Sequence, residues 1–251
     1  MPFDLTTWVL AATIVGLSYI IFGITAFGAA LFTVPLLSML FPLDFVLPLS
    51  VLMDVSASLA LGTRFSRHAQ WQELKWMVPL SAIGAVAGVT LLVKLPGTAT
   101  LTAFGVFLVL YALYVLRSGG VVNPVSSAWA PVAGLAGGIT GTLFGVGAPP
   151  YAIYLSRRLA DKGQLRATLS NMVLFSTSIR ALVFLAGGLM LLDRLVAFVM
   201  LLPFALVGLW IGNHLHARLS REAVQRVAAI LILAMGASLL FRALLRTNTG
   251  A

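Results

Sequence analysis

The chain has no cysteine, which removes disulfides, thiolate metal sites and thiol catalysis from consideration. Charge is scarce as well: of 251 residues only 9% are Asp, Glu, Lys or Arg, and seven are acidic. A soluble domain carries roughly a quarter charged residues, so this is not a soluble domain's composition. Its three histidines do not build a metal site. His214 and His216 stand two apart and diverge by about 200° on a helix, while His68 lies in a basic loop. There is no His-Glu-x-x-His run, no nucleotide-binding loop, and no histidine inside an apolar run opposite a candidate serine. These absences weigh against an intramembrane protease, a metalloenzyme and a self-sufficient ATP-driven pump. No cofactor is implied.

What the chain does have is apolar length. Apolar residues make up 60% and mean hydropathy is +1.04. Stretches such as 76–93, 98–116 and 195–215 can each span about 30 Å of hydrocarbon as a helix. Unbroken runs without period-two alternation predict helices rather than a barrel. The fold class expected is therefore all-α and polytopic in a lipid bilayer. The first stretch lacks a basic leader and a small-residue cleavage site, so it is expected to be a span rather than a removable signal. A net charge of +9 would suit nucleic acid, but the basic residues sit in short loops between apolar runs. That placement orients a membrane protein, and no nucleic-acid partner is expected. Trp8, Trp71, Trp76 and Trp129 fall near predicted ends of spans, as interfacial anchors do.

The sequence repeats. Pro79-Leu80 with Gly84-x-x-x-Gly88 returns as Pro203-Phe204 with Gly208-x-x-x-Gly212, an offset of 124. Ser50, Ser56 and Ser58 return as Ser170, Ser176 and Ser178, an offset of 120, and Gly28-Ala29 returns as Gly147-Ala148. Two membrane repeats, 1–117 and 128–251, are joined by a Gly-, Ser- and Pro-containing linker at 118–127. Each holds four hydrophobic segments, about 8–41, 43–63, 76–93 and 98–117, then 128–155, 167–190, 194–215 and 223–243. The glycine pairs at 84/88 and 208/212 read as close helix packing.

Loop charge tests the topology. If every segment crossed once, Arg64, Arg67, Lys75, Arg117, Arg194, Arg242 and Arg246 would face Lys94, Arg157, Arg158, Lys162, Arg166, Arg218, Arg221 and Arg226. Seven against eight orients nothing. If the first segment of each half instead enters and returns as a hairpin, eleven basic residues share one side and only Lys94, Arg194, Arg242 and Arg246 the other. That bias places loops 64–75, 157–166 and 218–226 in the cytoplasm, inverts one half against the other, and puts both termini outside. The segment 8–41 supports the hairpin, being long for one helix and short for two full crossings. It is interrupted over 23–30, and its counterpart over 141–150. Glycine lets the chain turn and approach a ligand, proline suits the first turn of a restarting helix, and a helix N-terminus presents unpaired N–H groups to an anion. Two such breaks meeting near mid-membrane form one site in alternating-access carriers.

At these breaks the sequence resembles the TauE/SafE family of sulfite exporters, which carry a Gly-x-Gly-Gly-Gly run and then Pro-Leu-Leu in each half. The first copy reads Ala26-Phe-Gly28-Ala-Ala-Leu-Phe-Thr-Val-Pro35-Leu-Leu37 and the second Gly145-Val-Gly147-Ala-Pro149-Pro150-Tyr-Ala-Ile-Tyr154-Leu155. Alanine replaces the family's glycine at 26, 29, 30 and 148, and Tyr154 replaces the second proline. The resemblance implies export of sulfite or an organosulfonate across a bacterial inner membrane.

Arg180 lies inside a predicted span, a costly position that marks a cavity or a partner. It reads as a direct anion ligand, as the ion-pair partner of Asp54 in the repeat-related segment, or as a side chain snorkelling to an interface. Asp54 reads either as a proton-coupling carboxylate or as the neutraliser of Arg180. The expected substrate site comprises Gly28, Ala29, Gly145, Gly147, Pro149, Ser50, Ser170, Asn171, Ser176 and Arg180, with Asp54 for coupling or pairing. About half of the serines and threonines are expected to bond only their own helix backbone. The function expected is a secondary carrier of a small anion, with an anion channel or an intramembrane enzyme as the alternatives.

Overall fold

A computed structural model describes residues 4–25, 28–62, 68–117, 124–215 and 229–241. Ala26 and Phe27 of the first break, Arg64, Arg67, linker residues 118–123, His216, Arg218, Arg221, Arg226, Arg242 and Arg246 lie outside the described residues. Among the described residues all regular structure is helical. In chain order it comprises α1 Leu5–Thr25, α2 Ala29–Leu37, α3 Leu43–Gly62, α4 Trp71–Lys94, α5 Gly97–Arg117, α6 Ala130–Phe144, α7 Ala148–Arg158, α8 Lys162–Ala186 and α9 Leu192–Leu215. A short apolar helix, α10, covers Ala229–Phe241. Helices α1, α3, α4, α5, α8 and α9 are long and apolar enough to cross a membrane.

The two interrupted segments break where their sequences demand it. Gly28 has φ +91° just before α2, and Gly145 has φ +77° just after α6. Both lie in the left-handed region that a Cβ disfavours. Beyond Gly145, Pro149 and Pro150 stand in the first turn of α7, where their missing N–H groups interrupt no helical bond.

Polarity is distributed inside out. Ile83, Leu110, Leu182 and Val199 expose 60–65% of their surface on the outside of long helices, while Asp54, Ser176, Thr177 and Arg180 are buried. Lipid is the solvent in which that arrangement is stable. Trp71, Trp76 and Trp129 are exposed, as anchors would be. Trp8 is not: it is buried in the core beside α1's other inward residues, because it sits on the face that packs into the bundle rather than toward lipid.

Two helix pairs form the frame, α1 against α9 and α4 against α6. Small residues bring their backbones together. Gly16 faces Gly208, and Gly23 faces Leu209 and Gly212. Met77 faces Gly134, Ser81 faces Gly138, and Gly88 faces Ile139 and Thr142. Residue numbers rise together along both seams, so the members of each pair run in the same direction. A Cβ on Gly23 would lie 2.6 Å from the Leu209 carbonyl oxygen and one on Gly88 2.8 Å from Thr142 Cβ. The glycine pairs at 84/88 and 208/212 are packing devices, as their spacing predicts.

Side-chain ties mark the two ends of the bundle. At one, Arg194 Nη2 bonds Asp44 at 3.1 Å and its Nη1 donates to the Leu189 carbonyl, joining the start of α9 to the start of α3. At the other, the Gln70 N–H bonds Thr168 Oγ1 at 2.9 Å, and Glu73 accepts both Arg158 Nε at 3.0 Å and the Tyr154 hydroxyl. Tyr154, the departure from the family's proline, thus fastens α7 to the first turn of α4.

Replacing Gly212 with Leu drives a side chain into the Ile20 backbone. It should destabilise the bundle by about 1–3 kcal/mol or more. Gly97→Ala, which meets nothing within 4 Å, should be neutral in the same detergent-solubilised thermal unfolding assay.

Candidate functional site

The breaks before α2 and α7 meet. Gly28, Ala29, Ala30 and Leu31 line one side of a cavity, and Gly145, Val146, Gly147 and Ala148 line the other. Asp54 from α3 and Val173, Ser176, Thr177 and Arg180 from α8 complete it, with Phe22 and Tyr151. Its free volume is about 30 Å³. That holds roughly one or two waters, less than a sulfur oxyanion needs.

Arg180 is only 3% exposed, which excludes snorkelling. Its Nη1 donates to the carbonyls of Gly141 at 2.6 Å and Gly145 at 2.9 Å, and its Nη2 reaches Asp54 Oδ2 at 3.3 Å. The helix end explains the carbonyls. The N–H groups of Gly145 and Val146 both turn back to Thr140 O, so Gly141 O is left over and Arg180 takes it. The other oxygen of Asp54 accepts the Tyr19 hydroxyl at 2.8 Å. The result is a buried chain, Tyr19 to Asp54 to Arg180 to the end of α6, in which the Arg180 Nε alone has no hydrogen-bond partner. Alongside it, the Tyr151 and Ser176 hydroxyls bond each other at 2.8 Å.

Of the residues expected at the site, Gly28, Ala29, Gly145, Gly147, Ser176, Arg180 and Asp54 line this cavity together. Pro149 is buried one turn position into α7, outside the lining. Ser50 is buried but spends its hydroxyl on Leu47 O of its own helix, and Asn171 donates to Ala167 O. Ser170 is half-buried and also outside the lining. Ser56 and Thr177 likewise bond their own helices, the local competition expected of such side chains. Tyr19, Tyr151 and the Gly141 and Gly145 carbonyls were not foreseen. The phenol of Tyr19 in the middle of an apolar run was the available signal, since a buried tyrosine hydroxyl needs a partner.

A larger cavity of about 930 Å³ lies at the Asp44 end of the bundle, between the 38–44 turn, the α4–α5 turn and Leu189. Asp44 is the only charged residue among its described lining residues, and it is paired with Arg194. No group of three or more potential metal ligands occurs among the described residues.

Comparison with known proteins settles the class. The profile of the sulfite exporter TauE/SafE family matches residues 9–239. The chain belongs to the TauE/SafE family. It is 29% identical over 197 residues to the "Probable inner membrane transporter protein TsaS" of Comamonas testosteroni, covering 76% of this chain and 81% of that one. No solved structure matches. This TauE/SafE member is thus a multi-pass membrane transporter and not an enzyme.

Removing one partner of the buried pair leaves the other uncompensated. Arg180→Ala should lower stability by about 3–5 kcal/mol, whereas the double variant Arg180→Met with Asp54→Leu should recover most of that loss. Tyr19→Phe removes one hydrogen bond to the carboxylate and should cost about 1–3 kcal/mol. Thermal unfolding in detergent checks all three.

Proposed function

We propose that this chain is an inner-membrane secondary carrier of a small sulfur oxyanion, sulfite or an organosulfonate, working by alternating access. One observation carries the reading: two interrupted helix pairs, one from each half of the chain, converge on a buried arginine beside a small cavity. Family membership and the inner-membrane relative support the sulfur-anion class and the compartment.

The same reading takes 1–117 and 128–251 as repeats of opposite orientation, hinged on the α1–α9 and α4–α6 seams. Each seam joins the first helix of one half to the third long element of the other, so the two seams are the interfaces about which one half pivots on the other. Lys75, Arg117, Arg157, Arg158 and Arg166 belong to the cytoplasmic end in this scheme, and Lys94 and Arg194 to the outer end. Gly28, Ala29, Gly145, Gly147, Ser176 and Arg180 contact the anion, and Asp54 is the carboxylate assigned to proton coupling. Pro149 shapes the α7 start, while Ser50, Ser170 and Asn171 border the pathway when the halves move. A channel would need a continuous path, which a free volume of about 30 Å³ does not favour.

The test is counterflow in proteoliposomes containing purified protein, with sulfite, methanesulfonate, sulfate and acetate. Saturable counterflow of sulfite or methanesulfonate is expected. Arg180→Lys keeps the charge but loses the planar fork, and should cut flux by roughly tenfold or more while the protein stays folded. Non-saturable flux without counterflow would identify a channel. Equal flux in wild type and a folded Arg180→Lys would remove Arg180 from the site.

A further inference from the structure

We propose that the Arg180 seat admits one negative charge at a time together with one proton, so that the carrier moves singly charged oxyanions electroneutrally and rejects dianions such as sulfate. The proposal rests on the carrier reading above and specifies its substrate charge and coupling.

It follows from a count of the buried charges at the site. Arg180 and Asp54 are the only charged side chains among the described residues lining the cavity, and they cancel. The helix ends do not change the sum. The N-termini of α2 and α7 each bring about half a positive charge, and the C-termini of α1 and α6 bring about as much negative. The α7 end is further weakened as a donor, because Pro149 and Pro150 have no N–H to offer.

The guanidinium is committed unevenly. Nη1 holds two carbonyls, so the edge formed by Nε and Nη2 is what remains for an oxyanion. Nε has no partner, and Nη2 has only Asp54, at 3.3 Å the longest of the three contacts. An oxyanion binding that edge with two oxygens takes the place of the carboxylate. With Asp54 still ionised, the site would then hold an uncompensated buried negative charge. With a proton on Asp54, arginine and anion cancel and Tyr19 keeps its bond to the carboxyl. Anion and proton enter, the Asp54–Arg180 pair opens, an Arg180–anion pair forms, and the charge before and after is the same. A dianion leaves one negative charge over even with the proton in place.

Nothing else near Asp54 is poised to take the proton. Tyr19 from α1 donates to it, and Arg180 from α8 faces it. α2 carries no titratable residue. On α9, Arg194 pairs with Asp44 at the bundle end, and Asp193 and His214 sit in the first and last turns. Tyr151 of α7 is engaged with Ser176.

Because neither the loaded nor the empty site carries net charge, membrane potential does no work on the cycle. The combined anion and proton gradients set its direction. Proteoliposomes with the full chain, an imposed potassium–valinomycin potential and an internal pH dye test this. Methanesulfonate flux should be saturable, accompanied by an equal flux of protons, and changed by less than about twofold by the potential. Sulfate should compete at least about tenfold worse. In Asp54→Asn, which mimics the protonated carboxyl, any methanesulfonate counterflow that remains should no longer respond to a pH gradient. Voltage-driven flux without proton movement, parity of sulfate with methanesulfonate, or a pH response retained in Asp54→Asn would overturn the proposal and leave the carrier intact. Absence of saturable flux for every anion would overturn the carrier reading and the proposal with it. The wild-type voltage measurement decides whether or not the variant folds.

Discussion

A guanidinium at the centre of an apolar bundle has to be neutralised, and the rest of this molecule is arranged around that requirement. Arg180 is neutralised by one carboxylate and by two carbonyls that exist only because α6 stops short of the opposite face. The stop at Gly145 is therefore more than a turn. It exposes the acceptors that hold Arg180 still, and it makes room for α7 to restart at the same depth. Asp54 is in turn positioned by Tyr19, so three helices from both halves of the chain, α1, α3 and α8, meet at one buried polar thread with the end of α6.

That thread is held between rigid supports. The α1–α9 and α4–α6 seams bring backbones close enough that no side chain fits at Gly84, Gly138, Gly208 or Gly212. Interfaces of that kind do not slide by small amounts; they keep their register or separate. The shorter helices α2 and α7 have no such seam of glycines. α7 is tied by polar contacts instead: Tyr151 on Ser176, Arg157 on Tyr114, and Tyr154 and Arg158 on Glu73, the last partly open to solvent at Arg158. Glu73 accordingly holds the Arg158 guanidinium's pKa above its ordinary value. In the alternating-access cycle proposed above, the glycine seams serve as pivots and the half-helices α2 and α7 reshape the Arg180 site.

Much of this was legible in the amino-acid sequence because the bilayer leaves few alternatives. Helix positions follow from apolar length, and the breaks at Gly28 and Gly145–Pro150 follow from residues that cannot continue a helix. The match of Pro79-Gly84-Gly88 with Pro203-Gly208-Gly212 anticipated packing without saying against which helix. Side-chain destinations were less legible. Ser50 and Ser170 shared the repeat offset with Ser176, yet Ser176 alone of the three lines the cavity, because an offset records ancestry and not the direction in which a rotamer points. Trp8 looked like an anchor from its place near a helix end, but its azimuth on α1 turns it inward. Tyr19 carried no periodic signal linking it to Asp54, 35 residues away.

The central claim is that anion and Asp54 exchange places on Arg180. Infrared difference spectroscopy of the purified protein, recorded on adding methanesulfonate, observes that exchange directly. The account predicts loss of an ionised carboxylate signal and gain of a protonated carboxyl band, both missing from Asp54→Asn. Saturable methanesulfonate binding with the carboxylate spectrum unchanged would contradict it.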